Sequence, residues 1–339
     1  LDEIRAMALN IYMEQSAVRD GVTAEEVKGI LLGMASGQET LLGYFRRFIR
    51  NFEKRVGINR TVGSLRAYSN AYSHIERFLQ AQYKLSDIPF SALDRSFIDK
   101  YDLYLRTERN LAPGTIINLT VQLKTIVGEA IADGIITASP FMGYEPVRPK
   151  HVQKYLTAEE LHRIMTTPLH RQPLYHVRDM FLFSCFTGIP YGDMRLLTKD
   201  NLCLAEDGIW WIKSARQKTK IEFEIPLLDL PLQILKKYSG TAPGDKLLPM
   251  YCNSTLNLYL KEIARICHID RPLVFHAGRH TYATEITLSH GVPLETVSRM
   301  LGHSQIETTQ IYAKVTDEKI DADTKALNRK ISERFSVVI

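Results

Sequence analysis

The sequence is poor in cysteine, and its four thiols are scattered. Cys185, Cys203, Cys252 and Cys267 form no Cys-x-x-Cys pair. A disulfide-dense scaffold has many cysteines in a short chain, and the common structural zinc sites need closely spaced ligands. The composition therefore excludes both classes, and we expect neither a metal nor another cofactor.

Long hydrophobic runs are also missing. The most apolar stretch, residues 180–186, is far shorter than the roughly 20 residues that a membrane-spanning helix needs. No secretory signal pattern opens the chain. We expect a soluble intracellular protein without a membrane partner. The first residue is Leu1 rather than Met, so we also expect that an N-terminal piece precedes it.

A large excess of either charge is absent as well. Lys and Arg number 43 and Asp and Glu 38, which gives a net charge of 43 − 38 = +5. This excess permits a nucleic-acid partner but does not require one. Hydrophobic residues make up 45% and charged residues 24% of the chain, as in ordinary globular proteins. The length of 339 residues predicts two domains.

The first half of the sequence has the periodicity of helices. Apolar residues recur at steps of three and four at Leu65, Tyr68, Tyr72, Ile75 and Leu79. Ser64 is the predicted N-cap of this helix. Further helices are predicted around residues 44–55, after Asp94, and from Pro113 to a stop at Gly134. Together these segments predict a compact four-helix unit.

A proline-rich, basic stretch follows the helical part. Pro140, Pro146 and Pro149 punctuate it, with Arg148 and Lys150 between and beside them. Such a stretch is typical of a linker. It either lies along a phosphate backbone or is simply solvated, and its sequence favours neither alternative.

A second domain is predicted to begin at Thr157. Thr157 and Glu160 have the spacing of a capping box. Residues 175–187 predict a buried helix, and residues 208–213 and 221–227 predict two strands, the latter with alternating apolar and polar residues. A basic turn, residues 214–220, joins these strands, and the remainder is again mostly helical.

Several residues that suit an anionic phosphate lie near predicted helix ends in the last third. His276 and Arg279 are three positions apart on a helix predicted to reach His290. A second helix follows Pro293 and ends at Gly302, directly before His303. Ser304 and Glu307 have the spacing of another capping box, and the helix after it would carry Tyr312. A phosphoryl site of this composition supplies its positive charge from Arg, Lys and His.

The ordered set His276-x-x-Arg279, Leu301-Gly302-His303 and Tyr312 resembles the signature of the tyrosine recombinases, the integrases of phages and bacterial mobile elements such as conjugative transposons. The resemblance covers nearly the whole chain. It implies a mainly α fold with a small antiparallel sheet, in which a helical core-binding domain precedes an α+β catalytic domain. The expected boundaries are an N-terminal helix and linker at 1–36, the core-binding domain at 37–145, a linker at 146–154, the catalytic domain at 155–320 and a tail at 321–339.

The resemblance also implies roles for individual residues. Tyr312 would attack the scissile phosphate and form a 3′-phosphotyrosyl link, so that strands rejoin without ATP. Arg279 would grip the phosphate oxygens with its bidentate fork, while His276 and His303 would hydrogen-bond the phosphate and manage protons. Lys218 would protonate the departing 5′ oxygen, with Lys220 as the weaker candidate. His280 is interpreted as structural.

One position departs from the family pattern. Where the family has an arginine after its Thr-Gly-Leu segment, this chain has Pro190, which cannot hold a phosphate. Arg216 is our candidate for the missing charge, because in an extended strand it would share a face with Lys218. Arg195 is the alternative. Asp193 would orient a catalytic Arg or Lys.

Basic residues also gather in the first helical segments, where aromatic residues accompany them. Such cations bind phosphates and position a protein on DNA, although a solvated face has the same composition. The candidate DNA-binding residues are Arg46, Arg47, Arg50, Lys54, Arg60 and Arg66, together with Lys220 in the second domain.

The resemblance implies double-stranded DNA as the partner, on which free monomers form a homotetramer that works through a Holliday junction in the bacterial cytoplasm and nucleoid. Accessory DNA-bending proteins are further partners that it allows. The tail has an apolar stripe at Leu327, Ile331 and Phe335, which would dock on a neighbouring protomer or pack on its own domain. Two alternatives are a DNA-binding regulator, in which residues 284–302 form a helix-turn-helix, and a topoisomerase-like nicking and closing enzyme.

Overall fold

A computed structural model describes residues 2–17, 21–24, 27–28, 39–148, 154–312 and 317–332. Parts of the predicted N-terminal segment, of the linker and of the tail, including Phe335, lie outside these residues. The chain divides into two units, residues 1–151 and 152–339. Helices dominate both, and the predicted fold class, mainly α with a small antiparallel sheet, is confirmed. No helix among the described residues is long and apolar enough to cross a membrane.

The first unit contains the four predicted helices, and a further helix lies at the N-terminus among the described residues. Their bounds are α1 (Asp2–Ser16), α2 (Leu41–Glu53), α3 (Val62–Phe78), α4 (Arg95–Thr107) and α5 (Pro113–Ala132). The prediction of Ser64 as N-cap is wrong. Thr61 caps α3, and its Oγ1 accepts the Ser64 N–H at 3.1 Å. Asp94 caps α4 in the same way.

Aromatic rings and one carboxylate hold the first unit together. The Phe78 ring packs against Phe97, Tyr101 and Tyr104 with centroid distances of 5.0–5.3 Å, a geometry that adds to the gain from burying their area. Asp87 accepts the N–H groups of two residues in the first turn of α2 at 2.8 and 3.0 Å. It thereby satisfies backbone donors that a helix start leaves unpaired.

The second unit is helical around a three-stranded sheet. Its helices are α6 (Ala158–Thr166), α7 (Gln172–Thr187), α8 (Tyr191–Met194), α9 (Asp229–Lys237), α10 (Asn253–Ile266), α11 (Ala277–Thr281), α12 (Leu294–Leu301), α13 (Glu307–Gln310) and α14 (Asp317–Ser332). The capping box of Thr157 and Glu160 is confirmed at the start of α6. α7 is the buried helix that the sequence predicts.

The sheet has the order β1 (Leu202–Leu204), β2 (Trp210–Ala215) and β3 (Glu222–Pro226), and both pairs are antiparallel. The sequence predicts β2 and β3 approximately but misses β1, because three residues are too few to show an alternation. Ile212 and Ile225 are cross-strand partners on the buried face. The sheet thus supplies an apolar face to the core that α7 crosses.

The backbone after His276 differs from the predicted regular helices. α11 continues as one π-helical stretch, Tyr282–Thr287, and a short 3₁₀ turn that ends at Gly291. The predicted capping box of Ser304 and Glu307 is wrong, because α13 starts only at Glu307 and Ile306 is its N-cap. Tyr312 lies just beyond α13 rather than within it.

Gly188 ends α7 in a left-handed conformation that a side chain would disturb. Its φ is +69°, and an added Cβ would lie 2.5 Å from Tyr282 Cδ1 and 2.8 Å from Leu301 Cδ2. Gly208 has a φ of +82°, but no atom lies within 4 Å of its added Cβ. The two positions therefore share the conformational penalty and differ in the steric one.

We expect Gly188→Ala to lower the free energy of unfolding by about 3 kcal/mol, because a clash in a packed core adds to the left-handed penalty. Gly208→Ala, the matched control, should lower the free energy of unfolding by about 1 kcal/mol. Both tryptophans, Trp210 and Trp211, lie in β2, so urea unfolding followed by tryptophan fluorescence reports on this unit. Equal losses for the two variants would contradict the account.

Candidate active site

Five segments of the second unit meet around one guanidinium group. They are the end of α7, the β2–β3 turn, α11, the end of α12 and the residues that follow it up to Tyr312. The helices end where they do because Gly188 and Gly302 adopt left-handed conformations, with φ of +69° and +63°, which glycine accepts without strain. The site is therefore built largely from helix ends.

Arg279 is the central cation, and only 3% of it is exposed. Its Nη1 donates to the Gly188 carbonyl at 2.8 Å, and its Nη2 donates to the Leu301 carbonyl at 2.6 Å. Burial and the neighbouring Arg216 lower the pKa of Arg279 to about 10. It remains charged at neutral pH, and its position is fixed by main-chain acceptors rather than by a carboxylate.

Arg216 lies beside Arg279 and donates to the same carbonyl. Its Nη1 is 2.9 Å from the Leu301 oxygen, and its Nε is 2.6 Å from Asp193 Oδ2. The N–H is poorly aligned toward this carboxylate oxygen, so the two groups meet as an ion pair more than as a hydrogen bond. Asp193 also accepts the Gln217 N–H at 2.8 Å, which ties the β2–β3 turn to α8.

The prediction that Arg216 and Lys218 share one face of an extended strand is wrong. β2 ends at Ala215 and residues 217–219 form the turn, so the strand period does not apply to them. Arg216 reaches the site because the hairpin begins to turn there. Lys218 and Lys220 are both exposed on the turn, and Lys220 has a φ of +60°.

His303 is bound on both ring nitrogens. Nε2 is 2.9 Å from Arg279 Nη2, and Nδ1 is 2.7 Å from Thr309 Oγ1. Because a guanidinium only donates, Nε2 must accept, and the Nδ1–H donates a hydrogen bond to the Thr309 hydroxyl. Burial, Arg279 and Arg216 lower the pKa of His303 to about 4. The imidazole is therefore neutral at neutral pH.

Tyr312 lies against this cluster and is 6% exposed. The guanidinium groups of Arg279 and Arg216 are close enough to interact with its hydroxyl. Burial raises the pKa of Tyr312, although Arg279 and Arg216 act in the opposite direction. Its ring is nearly parallel to that of His303, with centroids 6.2 Å apart. The structure thus brings Tyr312, Arg279 and His303 together.

Two further histidines adjoin Tyr312. The His280 ring is 5.0 Å from the Tyr312 ring and 4.9 Å from the exposed His276 ring. Burial lowers the pKa of His280 to about 4 and also lowers that of His276. His280, which is interpreted as structural from the sequence, therefore lies next to the candidate nucleophile. On a helix it would diverge from Arg279, but the chain returns after α12 and places Tyr312 against it.

The position that lacks the expected arginine lies at the start of α8. Pro190 is the N-cap of α8. Arg195, the second candidate for the missing charge, is exposed and lies over the Tyr191 ring at 5.9 Å. Of the two candidates, Arg216 is therefore the one that the structure brings to Arg279.

Sequence reasoning missed two residues that hold the site. Thr309 is fully buried and accepts a hydrogen bond from His303 Nδ1, but a threonine six residues after a histidine carries no recognisable signal. Leu301 contributes only its carbonyl, which any residue would supply. Among the described residues, no group of three or more His, Cys, Asp or Glu side chains could hold a metal ion.

The candidate DNA-binding residues of the first unit are all exposed, on α2, on α3 and in the turn between them. Two of them form polar contacts on their own unit. Arg47 pairs with Glu39 at 2.7 Å, and Arg46 donates to the Tyr72 hydroxyl at 2.5 Å. Exposure is compatible with phosphate contacts, which would have to compete with these partners.

Comparisons with known proteins identify the family. The model of the phage integrase family matches residues 154–319, and that of the phage integrase SAM-like domain matches residues 40–146. The tyrosine recombinase XerD of Listeria monocytogenes is 26% identical over 273 residues, which cover 76% of this chain and 89% of that protein.

Solved structures share the fold. The Tn1549 transposon integrase, in complex with transposon right end DNA, aligns with a TM-score of 0.65 at 19% identity, over 85% of this chain and 99% of that chain. A lambda integrase tetramer bound to a Holliday junction aligns with a TM-score of 0.65 at 17% identity, over 83% and 80% of the two chains. One family model lies in each unit, and together they match more than half of the chain. The chain belongs to the phage integrase family of tyrosine recombinases.

Proposed function

We propose that the protein is a site-specific DNA recombinase in which Tyr312 cuts one strand at a time. The observation that carries this proposal is the cluster of Tyr312, Arg279 and His303, in which Arg279 donates to His303 and the rings of His303 and Tyr312 are stacked. A phosphodiester has the negative charge and the acceptor oxygens that suit such donors. The XerD relatives and the integrase fold are in line with this chemistry.

The proposed step transfers a phosphoryl group to tyrosine. The Tyr312 oxygen attacks phosphorus, the bond from phosphorus to the 5′ oxygen breaks, and a 3′-phosphotyrosyl link forms. Lys218 donates the proton that makes the 5′-hydroxyl. The Tyr312 proton passes to a ring nitrogen of the neutral His280, whose ring lies between those of Tyr312 and His276. The reverse of these steps rejoins a strand, because the phosphotyrosyl ester conserves the energy of the broken phosphodiester bond.

Electrostatic stabilisation by positive charge is the main source of catalysis in this scheme. Arg279 and Arg216 are adjacent and nearly buried, and Asp193 balances one of them. The remaining charge is suited to the non-bridging oxygens of a phosphate, and preorganised charge of this kind is a main source of catalysis. We infer that Arg216 replaces the arginine that Pro190 displaces.

His303 has a second role in the proposal. With the site free, its Nε2 accepts from Arg279 and so orients the guanidinium. To donate a hydrogen bond to a phosphate oxygen, it would need the other tautomer or a second proton. Phosphate binding would favour either form, because the added negative charge offsets the two guanidiniums that now lower the pKa of His303.

The wider cycle is also proposed. Double-stranded DNA is the substrate, the exposed cations of α2 and α3 contact its phosphates, and four protomers exchange strands through a Holliday junction in the bacterial cytoplasm. The domain boundaries and the docking of the tail on a neighbour stay predictions. In α14, Leu327 is 56% and Ile331 42% exposed, as a docking stripe requires. The regulator alternative explains neither the burial of Tyr312 nor its contact with Arg279.

The wild-type chain, incubated with nicked substrate DNA, should form a covalent protein–DNA adduct on a denaturing gel. Tyr312→Phe should form none, because the attacking oxygen is gone. Tyr282→Phe is the control, since Tyr282 is a buried tyrosine of the same cluster and its hydroxyl is not the proposed nucleophile. Binding of DNA without an adduct from any substrate would favour the regulator instead.

Arg216→Ala should reduce adduct formation by about a hundredfold or more, the usual cost of removing one transition-state donor. Arg195→Ala should form the adduct at the wild-type rate, because its side chain lies over Tyr191 and away from the cluster. Adduct yield against time, at DNA concentrations that saturate each variant, measures the difference. Wild-type cleavage by Arg216→Ala would show that another residue supplies the charge.

A further inference from the structure

The turn between α2 and α3, residues 54–60, has a fixed shape. The Arg55 carbonyl accepts the N–H groups of Ile58, Asn59 and Arg60 at 3.2, 3.2 and 3.1 Å, and the Gly57 N–H donates to the Arg60 carbonyl at 3.0 Å. Gly57 has a φ of +86°, which favours glycine. Backbone hydrogen bonds within the turn therefore hold its tip, Ile58 and Asn59, in one conformation.

Ile58 has no packing role within its unit. It is 83% exposed, more than any other large apolar side chain in the described part of the chain. Exposed apolar residues are common, but this one stands at the tip of an ordered turn. Because its side chain buries little, substitution should leave the fold intact.

Three basic residues lie close to this apolar tip in sequence. Lys54, Arg55 and Arg60 are exposed, and among the described residues none of the three forms an ion pair with a carboxylate. The Arg60 guanidinium lies over the Phe52 ring at 5.3 Å, which restricts its motion. Arg55 and Arg60 line one cleft together with Glu129 and Asp133, but neither guanidinium lies within ion-pair distance of a carboxylate there. The turn thus combines an apolar tip with cations that are not paired with an anion.

These features match the major groove of duplex DNA. Phosphates line both edges of the groove, and its floor carries the thymine C5-methyl group, the apolar feature that a protein can contact there. Asn59, next to Ile58, has an amide that can pair with adenine N6 and N7. Neighbouring apolar and amide side chains fit the two halves of an A·T pair, whereas a lipid surface or an acidic peptide offers no use for Asn59.

We propose that the turn of residues 54–60 enters the major groove and that Ile58 packs on a thymine methyl, with Asn59 on an adenine beside it. Ile58 is then a residue that determines the DNA sequence preference of this chain, and the flanking cations hold the turn against the backbone. The inference rests on the proposed function, because it takes DNA as the substrate.

The test removes the thymine methyl group from the DNA side of the contact and the three carbons of Ile58 beyond Cβ from the protein side. A randomised duplex library is enriched on the full wild-type chain, and the enriched duplex is resynthesised with deoxyuridine for thymidine at one position at a time. At one position the wild type should lose about fourfold in affinity, which is the equivalent of burying one methyl group. Ile58→Ala should bind the thymine and uracil duplexes equally at that position.

Leu103→Ala is the matched control, since Leu103 is 58% exposed on α4 of the same unit and should leave the uracil effect unchanged. Gly57→Ala, which strains the turn, should weaken the effect. The proposal is overturned if no position responds to uracil, or if Ile58→Ala keeps the full response. A wild-type chain that enriches no duplex would instead contradict the proposed function itself.

Discussion

The candidate site depends on one carbonyl oxygen, that of Leu301, which accepts hydrogen bonds from two guanidinium groups. Arg279 reaches it at 2.6 Å and Arg216 at 2.9 Å. Two like charges this close repel each other, and both are withdrawn from water. The shared acceptor and the Asp193 carboxylate offset this cost in the free protein. The pair is thus held ready for an anion that would offset it further.

The acceptors come from the way in which helices end. The last carbonyls of a helix have no partner within the helix, and the helix dipole makes that end negative. Gly188 closes α7 and Leu301 is the last residue of α12, and both offer such carbonyls to Arg279. The left-handed glycines that stop these helices therefore also position the cation, so fold and site are specified by the same residues.

Local patterns predicted the parts of the site that lie close together in sequence. His276, Arg279, His303 and Tyr312 follow a recognisable spacing, and the helices of the first unit follow their apolar periodicity. Contacts between distant segments could not be predicted in this way. The pairing of Arg216 with Asp193 depends on where the β2–β3 turn meets α8, and the bond from His303 to Thr309 depends on a chain reversal after Gly302.

The failed predictions have a common cause. Ser304 and Glu307 have the spacing of a capping box, but the chain between them must turn so that His303 reaches Arg279 and Tyr312 returns to His280. Tertiary contacts override a local preference that is worth about 1 kcal/mol. Likewise, strand periodicity failed at Arg216 because the hairpin turns there. Sequence patterns were therefore least informative where the site itself required an irregular backbone.

We infer that Arg216 supplies the positive charge that is missing at Pro190, where the family has an arginine. The most direct measurement compares strand cleavage of a normal substrate with cleavage of one whose scissile phosphate is a neutral methylphosphonate. If Arg216 neutralises a phosphate oxygen, Arg216→Ala should fail on the phosphate and recover on the methylphosphonate, whereas the wild type should cleave both. An Arg216→Ala protein that binds DNA but cleaves neither substrate would contradict the claim, as would one that cleaves the phosphate normally.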